Sequence, residues 1–401
     1  MADDAALIAH ILRRLTFGPH PGQVDDLLPL GVSGTIDRLL GAEPLTPEEP
    51  QLGTGGDYDL LRAWWLNVLA GPDAGLHERM VWFWHSHLTS SLEKCEPALM
   101  ITQHRLVRKL ALGNFRELLQ KITIDGAMLA WLDGAGSTAD APNENYSREL
   151  MELFALGRGN YTEADVRAGS VAFSGWGIND NGSTIAFDPK VAATTPVEFL
   201  GKQVLHAEDA VNAVCDNAAC APFIAGKIHR YLMGIDPDDT RRAELASIFR
   251  DNSFEIRPLV EAIVRHPSFL EARMNRPRAG VEWFIAAQAV LGATFEEYRL
   301  GHLGQQPFVP PNVAGWPGDD RWVSAGAVMA KVSAARDYSD DTPTFDSDDP
   351  VAEVLTKASL YEVSAETRAA LTAAIDGLEG RRETSTLLHA LVLCTPEFNL
   401  A

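Results

Sequence analysis

The sequence predicts a mainly α-helical fold, a multi-helix array with a small irregular or β-hairpin insertion near residues 174–201. Three observations predict it. Apolar residues recur at helical spacing through most of the chain. Capping residues and Gly or Pro stops punctuate those runs. Alternating and β-branched runs are too few for a parallel sheet.

Taken in order, Leu7, Ile8, Ile11, Leu12 and Leu15 mark one face of a first helix, broken by GPHPGQ. Short helices follow over 21–28 and 32–40, then a Pro, Glu and Gly-rich loop over 43–57. Two aromatic-rich helices span 58–70 and 76–88, and another runs from Pro97 to Leu112 with Gly113 as its stop. Asn114 caps FRELLQKITI. After the polar loop 134–143, one helix covers Asn145 to Leu156. Thr162 and Asp165 form a capping pair that opens a helix to Phe173. The insertion over 174–201 contains TIAFDP, a hairpin candidate. Helices return over 209–215, 221–232, 239–250, 256–265 and 279–292, and after a Pro-rich stretch over 325–338. The acidic SDDTPTFDSDDP reads as a linker or flexible loop, ahead of closing helices over 365–378 and 384–394.

This divides the chain into four parts. An N-terminal helical lobe (1–173) carries the His and Glu/Arg motifs, and an irregular insertion covers 174–207. A second helical lobe (208–338) carries a Pro-rich strap at 305–318, and the acidic linker with the closing helices covers 339–401.

The chain has 401 residues and a formal net charge of -21, which sets it against nucleic acid and anionic membrane surfaces as partners. Cys95, Cys215, Cys220 and Cys394 form no C-x-x-C pair, so thiolate zinc is not expected and reduced thiols are. The N-terminus lacks a basic segment followed by an apolar one, and no apolar run approaches the roughly 20 residues of a membrane span. A cytoplasmic protein is the expectation. Gly-rich nucleotide loops and the Gly-x-Ser-x-Gly elbow are absent from the sequence.

Three stretches carry chemistry. In PNENYSRELMELFALGRGNY, Glu144, Arg148 and Glu152 share a helix face, and Glu149 neighbours Glu152. Two carboxylates beside an arginine suit acid–base work with split pKa values, or metal ligation by oxygen. The plainer reading is a surface salt-bridge ladder. Asn143, Glu144 and Asn145 suit the opening of that helix. In WFWHSHL, His85 and His87 suggest a base or a metal ligand, although residues two apart on a helix point in different directions. In QQPFVPPNVAGWPGDDRW, the prolines make a stiff strap in which Asn312 bridges turn groups; Trp316 and Trp322 suit the wall of a cleft for sugar rings or planar groups. Trp131 and Trp176 are further candidates for lining a pocket.

The phrases HILRRLTFGPHPGQVDDLLPLG, ERMVWFWHSHL, MLAWLDG, APNENYSRELMELFALGRGNYTEADVRAGSVAFSGW, QPFVPPNVAGWPG and LVLCTPEFN stand in the order seen in the bacterial family called domain of unknown function 1800. The chain resembles that family from His10 to Asn399. The resemblance implies a helical domain with no settled activity. Many members look exported, and many carry a His-Asp pair after the FSGW motif where this chain reads FDPKVAATTPVEFLGK.

Together these features lead to an enzyme with a carboxylate, arginine and histidine cleft, performing hydrolysis or elimination by acid–base or metal-assisted steps. Glu149 and Glu152 are the acid/base or ligand candidates, His85 a base or ligand, Arg148 an anion clamp, and Glu144 a further catalytic candidate. Asn143, Asn145, Trp131, Trp176, Asn312 and Trp316 line the expected site for a small-molecule or glycan-like substrate. If a divalent metal is bound, His85, His87, Glu149 and Glu152 are its ligands, and iron, manganese or zinc fits them. The alternative is a non-catalytic helical binding or assembly protein.

Overall fold

The computed structural model describes every residue except 1, 54–56, 180–184, 297, 341 and 346. Helices form where the apolar spacing places them. The first, Ala2–Leu15, turns Ile8, Ile11, Leu12 and Leu15 inward, and all four are fully buried. Asn114 accepts the N–H of Glu117 ahead of Phe115–Thr123. Thr162 and Asp165 close a reciprocal capping box ahead of Glu163–Ala172. Among the described residues no helix is long and apolar enough to cross a membrane. All four cysteines are free thiols.

Three elements differ from expectation. The single helix expected over 145–156 is α-helical only over Asn145–Glu149 and continues as a π-helix over Leu150–Ala155. The N–H groups of Leu156 and Gly157 both reach back to the Met151 carbonyl. One inserted residue in a turn leaves the apolar pattern nearly unchanged, so periodicity does not reveal it.

The insertion holds two hairpins rather than one. Trp176–Ile178 pairs antiparallel with Ile185–Phe187, and the intervening 180–184, part of the expected hairpin, lie outside the described residues. Val197–Phe199 pairs with Lys202–Val204 around Leu200 and Gly201, both at positive φ. A two-residue turn needs that backbone, and Asp165 supports it by accepting the Leu200 N–H at 2.8 Å. Strands of three residues are too short to show alternation in sequence.

The acidic stretch after Ser339 is packed rather than loose. Phe345 is buried and stacks on His389, and its N–H donates to Ser385 Oγ at 2.7 Å. An unexpected helix, Pro350–Lys357, begins behind the Asp349 cap with proline in its first turn. Residues 341 and 346 of this stretch lie outside the described residues.

Besides a smaller cluster that joins Ile8 and Leu12 of the first helix to Val24 and Leu27, one larger apolar cluster runs from Ile11 to Phe398. Near its centre the helix Leu76–His87 buries Met80, Val81, Trp82, Phe83 and Trp84, so almost its whole circumference is covered. Polar groups on such a helix must be satisfied inside. Arg79 is fully buried, with its guanidinium over the rings of Phe17 and Tyr231. It pairs with Glu282, in the first turn of the helix Gly280–Leu291. Glu282 also accepts from both terminal nitrogens of Arg276 at 2.8 Å and from the Ala279 N–H at 3.0 Å. Burial alone would raise its pKa, but Arg276 and Arg79 hold it far below the usual carboxylate range. Two more buried arginines clip distant backbone to the first helix: Arg13 donates to the Ser359 carbonyl at 2.6 Å and Arg14 to that of Ala272 at 2.9 Å.

Removing one member of a buried ion cluster strands the others. Glu282→Gln is therefore expected to cost about 3–5 kcal/mol in denaturant unfolding. Glu144→Gln, on an exposed helix face, should cost under about 1 kcal/mol. Similar small losses in both would contradict a structural role for the cluster.

Candidate functional site

Both histidines of the W-F-W-H-S-H stretch sit on the helix Leu76–His87 and face different partners. His85 Nε2 accepts the backbone N–H of Phe308 at 3.1 Å. Its ring lies among Trp65, Phe308 and Trp316, with centroids 4.9, 5.2 and 5.5 Å away. Burial lowers its pKa to about 3, so the imidazole is neutral. His87 stacks on Phe83, and its Nε2 donates to the Phe154 carbonyl of the π-helix at 2.9 Å. Burial lowers its pKa to about 4.

The expected metal quartet of His85, His87, Glu149 and Glu152 therefore does not assemble, because each imidazole spends its Nε2 on a backbone group of a different segment. Among the described residues no three His, Cys, Asp or Glu side chains group as metal ligands. These donors do not fit a resident iron, manganese or zinc ion. His85 is also displaced from the role of base: it positions the strap.

The acidic helix divides into two parts. Arg148 joins Glu144 at 3.2 Å and Glu163 at 2.7 Å in a half-exposed ladder, the plainer of the two expectations for these residues. As an anion clamp Arg148 is already occupied. Glu149 and Glu152 behave differently. Burial and the neighbouring Glu152 raise the pKa of Glu149. Hydrogen bonds from Arg158 and Tyr161 lower that of Glu152.

Of the remaining candidates, Asn143 accepts the Asn145 N–H at 2.8 Å and serves the helix start. Asn145 is exposed. Asn312 accepts the Ala314 N–H at 2.9 Å within the strap turn. Trp131 accepts from Lys94 through its carbonyl, and Trp176 packs on Phe187 across the first hairpin. Trp316 faces a cavity.

The cavity is built by the strap. Phe308 has φ 62°, a left-handed backbone that a bulky residue adopts only under constraint. His85 holds its N–H, and Leu92 donates to its carbonyl at 2.9 Å. Thr89 Oγ1 donates to the Val313 carbonyl at 2.7 Å. Gly315, at φ 84°, lies so close to the Ser86 carbonyl that a Cβ would collide with it. These ties bring Trp316 flat onto Trp82, with centroids 5.2 Å apart and planes 16° apart. Beyond the strap, Lys331 fixes Trp322 by donating to its carbonyl at 3.2 Å.

The result is a cavity of about 210 Å³ walled by Trp82, Trp316 and Trp322. The helix Cys220–Met233 contributes Lys227, Arg230 and Tyr231, and Arg276, Glu282 and Gln305 are among the other lining residues. A larger groove of about 560 Å³ lies elsewhere, beside Arg105, Arg108 and Arg257. Those cations are engaged by Glu49, Glu78 and the Leu40 carbonyl respectively.

Sequence reasoning found Trp316 and Trp322 but missed Arg79, Tyr231, Arg276 and Glu282. A signal for one of them exists. Glu282 is the single charged residue of the largely apolar helix Gly280–Leu291, where an isolated charge has to be paired.

Fold and site define a mainly helical protein with an aromatic-walled pocket closed by a proline-rich strap. Residues 10–400 match the family described as protein of unknown function (DUF1800), and the chain belongs to that family. No curated protein and no solved structure matches it.

The neutral state of His85 has a measurable consequence. Its folded pKa of about 3 lies below its ordinary value of 6.5. The unfolded chain therefore takes up the proton first, and stability is lost as pH falls from 6.5 towards 3. Within that window each such imidazole contributes about 1.4 kcal/mol per pH unit. His10, His87, His104 and His389 act in the same sense. His85→Gln, which retains an acceptor, should lose stability between pH 6 and 5 more gently than wild type, by about one proton's worth. Equal slopes would show that His85 is not a buried neutral acceptor.

Proposed function

We propose that this protein recognises a small ring-bearing molecule, a sugar or a single planar ring, in the pocket beneath the strap. One observation carries the reading: three indoles converge on a cavity of about 210 Å³, and the strap that delivers Trp316 is tied down at Phe308, Val313 and Gly315. Indoles provide flat apolar faces for sugar or aromatic rings, and pre-positioned walls reduce the ordering cost of binding. The cavity is smaller than the roughly 300–1,000 Å³ of drug-sized sites, which suits one ring rather than a chain of them. The net charge of -21 argues against nucleic acid and membrane surfaces as partners. Four free thiols fit a reducing cytoplasm.

A second reading places acid–base catalysis, hydrolysis or elimination, at Glu149 and Glu152. The observation in its favour is a pair of carboxylates at the π-helix with pKa values moved in opposite directions. Glu149 would be the readier of the two to take up a proton and Glu152 the readier to stay ionised, the division of labour such chemistry needs.

Saturation-transfer NMR with monosaccharides and single-ring aromatic compounds separates the two readings. Ligands of the strap pocket should lose their signal with Trp316→Ala and keep it with Glu149→Gln. Signals that survive Trp316→Ala but vanish with Glu149→Gln would move the functional centre to the acidic helix.

A further inference from the structure

The guanidiniums that line the pocket are already paired. Arg276 takes both oxygens of Glu282, and Arg230 pairs with Asp236 at 2.6 Å. Lys227 stands at the exposed mouth, its Nζ 5.3 Å from the centre of the Phe223 ring. Two neutral donors deeper in the wall are not engaged. One belongs to Gln305, which opens the strap and is 4% exposed. Its Oε1 accepts the Val281 N–H at 2.9 Å, in the first turn of the helix Gly280–Leu291. That bond fixes the orientation of the amide, because the flipped amide would set N–H against N–H. Gln305 Nε2 is left with two hydrogens and no acceptor among the described residues, although the side chain lines the cavity.

The other donor is Trp82, which is 3% exposed and lines the same cavity. Its indole N–H has no acceptor among the described residues. Other buried indoles are of two kinds. Those of Trp84 and Trp283 donate to the Ala111 and Leu393 carbonyls at 2.9 and 3.2 Å. Those of Trp65, Trp131 and Trp176 lack acceptors but are sealed in the interior. Trp82 differs from both in standing at a cavity. The hydroxyls of Ser86 and Tyr231 already donate to the carbonyls of Trp82 and Arg79, at 2.9 and 3.2 Å, so only lone pairs are left on them. An unfilled lone pair is tolerated more readily than a buried N–H without an acceptor. What the pocket lacks is therefore an acceptor.

We infer that the ligand of this pocket is a ring carrying an acyl oxygen, a carbonyl or a carboxylate, which accepts from Gln305 Nε2 and the Trp82 indole N–H while the ring lies against Trp316. The inference rests on the strap pocket being the binding site, and it adds the polar group that the ligand has to present. In an open pocket water serves such donors. A ring that displaces the water without replacing its acceptor leaves them buried and unmet, which is unfavourable. An acyl oxygen has two lone pairs and serves two donors, whereas a hydrocarbon edge serves none. A site built to hydrogen-bond one group rejects an analogue lacking that group far more strongly than an apolar pocket rejects a change in size.

Acetophenone and α-methylstyrene test this on the full chain, because they differ only in an oxygen exchanged for a methylene group. Neither is charged, so the lysine and the guanidiniums do not separate them. Titration by ligand-observed NMR should show acetophenone binding at least about tenfold tighter. Gln305→Glu keeps an acceptor for the Val281 N–H and removes the donor. In folded protein it should narrow the gap several-fold. Trp316→Ala should weaken both probes alike. Equal binding of the two probes by wild type, still dependent on Trp316, would overturn the acyl requirement and leave the pocket reading standing. That comparison decides the matter even where Gln305→Glu does not fold. A gap left intact in a folded Gln305→Glu protein would overturn the assignment to Gln305. No binding by either probe, or binding indifferent to Trp316→Ala, would remove the pocket reading and the inference with it.

Discussion

One carboxylate, Glu282, meets the guanidiniums of Arg79 and Arg276 in the interior, and that meeting decides where several segments sit. Arg79 comes from a helix covered on nearly every side, so it has no route to water. Glu282 comes from the first turn of a second apolar helix. Bringing an unpaired arginine or glutamate out of water costs several kcal/mol, and the attraction between them offsets this only when the geometry is good. The two-pronged contact with Arg276 supplies such geometry. Because Arg79 lies far along the chain from Arg276 and Glu282, the cluster acts as a register mark: other packings of the two helices would leave a charge stranded.

The strap depends on a second set of polar ties, and His85 is the centre of it. A histidine placed among indoles and phenyl rings cannot hold a proton at neutral pH. What it offers is a fixed acceptor, and the Phe308 N–H uses it. That bond, with those from Leu92 and Thr89, supports an unfavourable backbone at Phe308 and fixes the route of the prolines. Trp316 then lands on Trp82. His87 does comparable work on the other side of the helix end, where it satisfies the Phe154 carbonyl in the π-helix. Two residues that look like chemistry in sequence are structural acceptors and donors in space.

Much of the helical framework was legible in the sequence because burial imposes a period and caps impose a residue type. Asn114, Thr162 and Asp165 show this, since each caps the helix it was expected to open. The second hairpin was not legible: three-residue strands carry no periodicity, and its turn uses Leu200 at positive φ, where glycine would have been a clear sign. The packed state of the acidic stretch rests on Phe345, one apolar residue in a run dominated by charge. At the site, Trp316 and Trp322 were readable as a wall because aromatic residues in a stiff proline segment have little else to do. Arg276, Tyr231 and Lys227 were not, because their meaning lies in convergence from segments remote in sequence. The Glu144–Arg148 pair followed the plainest helix rule, one turn apart on an exposed face.

Membership of the family described as protein of unknown function (DUF1800) spans nearly the whole chain, from residue 10 to residue 400, so the strap, the buried ion cluster and the acidic helix all fall inside the shared region. The account places the functional centre where the first two meet. Its most direct test is a crystal structure of the native protein soaked with 4-bromobenzoate and measured at the bromine edge. The account predicts an anomalous peak beside Trp316. A peak confined to the groove beside Arg105 and Arg257, or to the surface around Glu149 and Glu152, would contradict it.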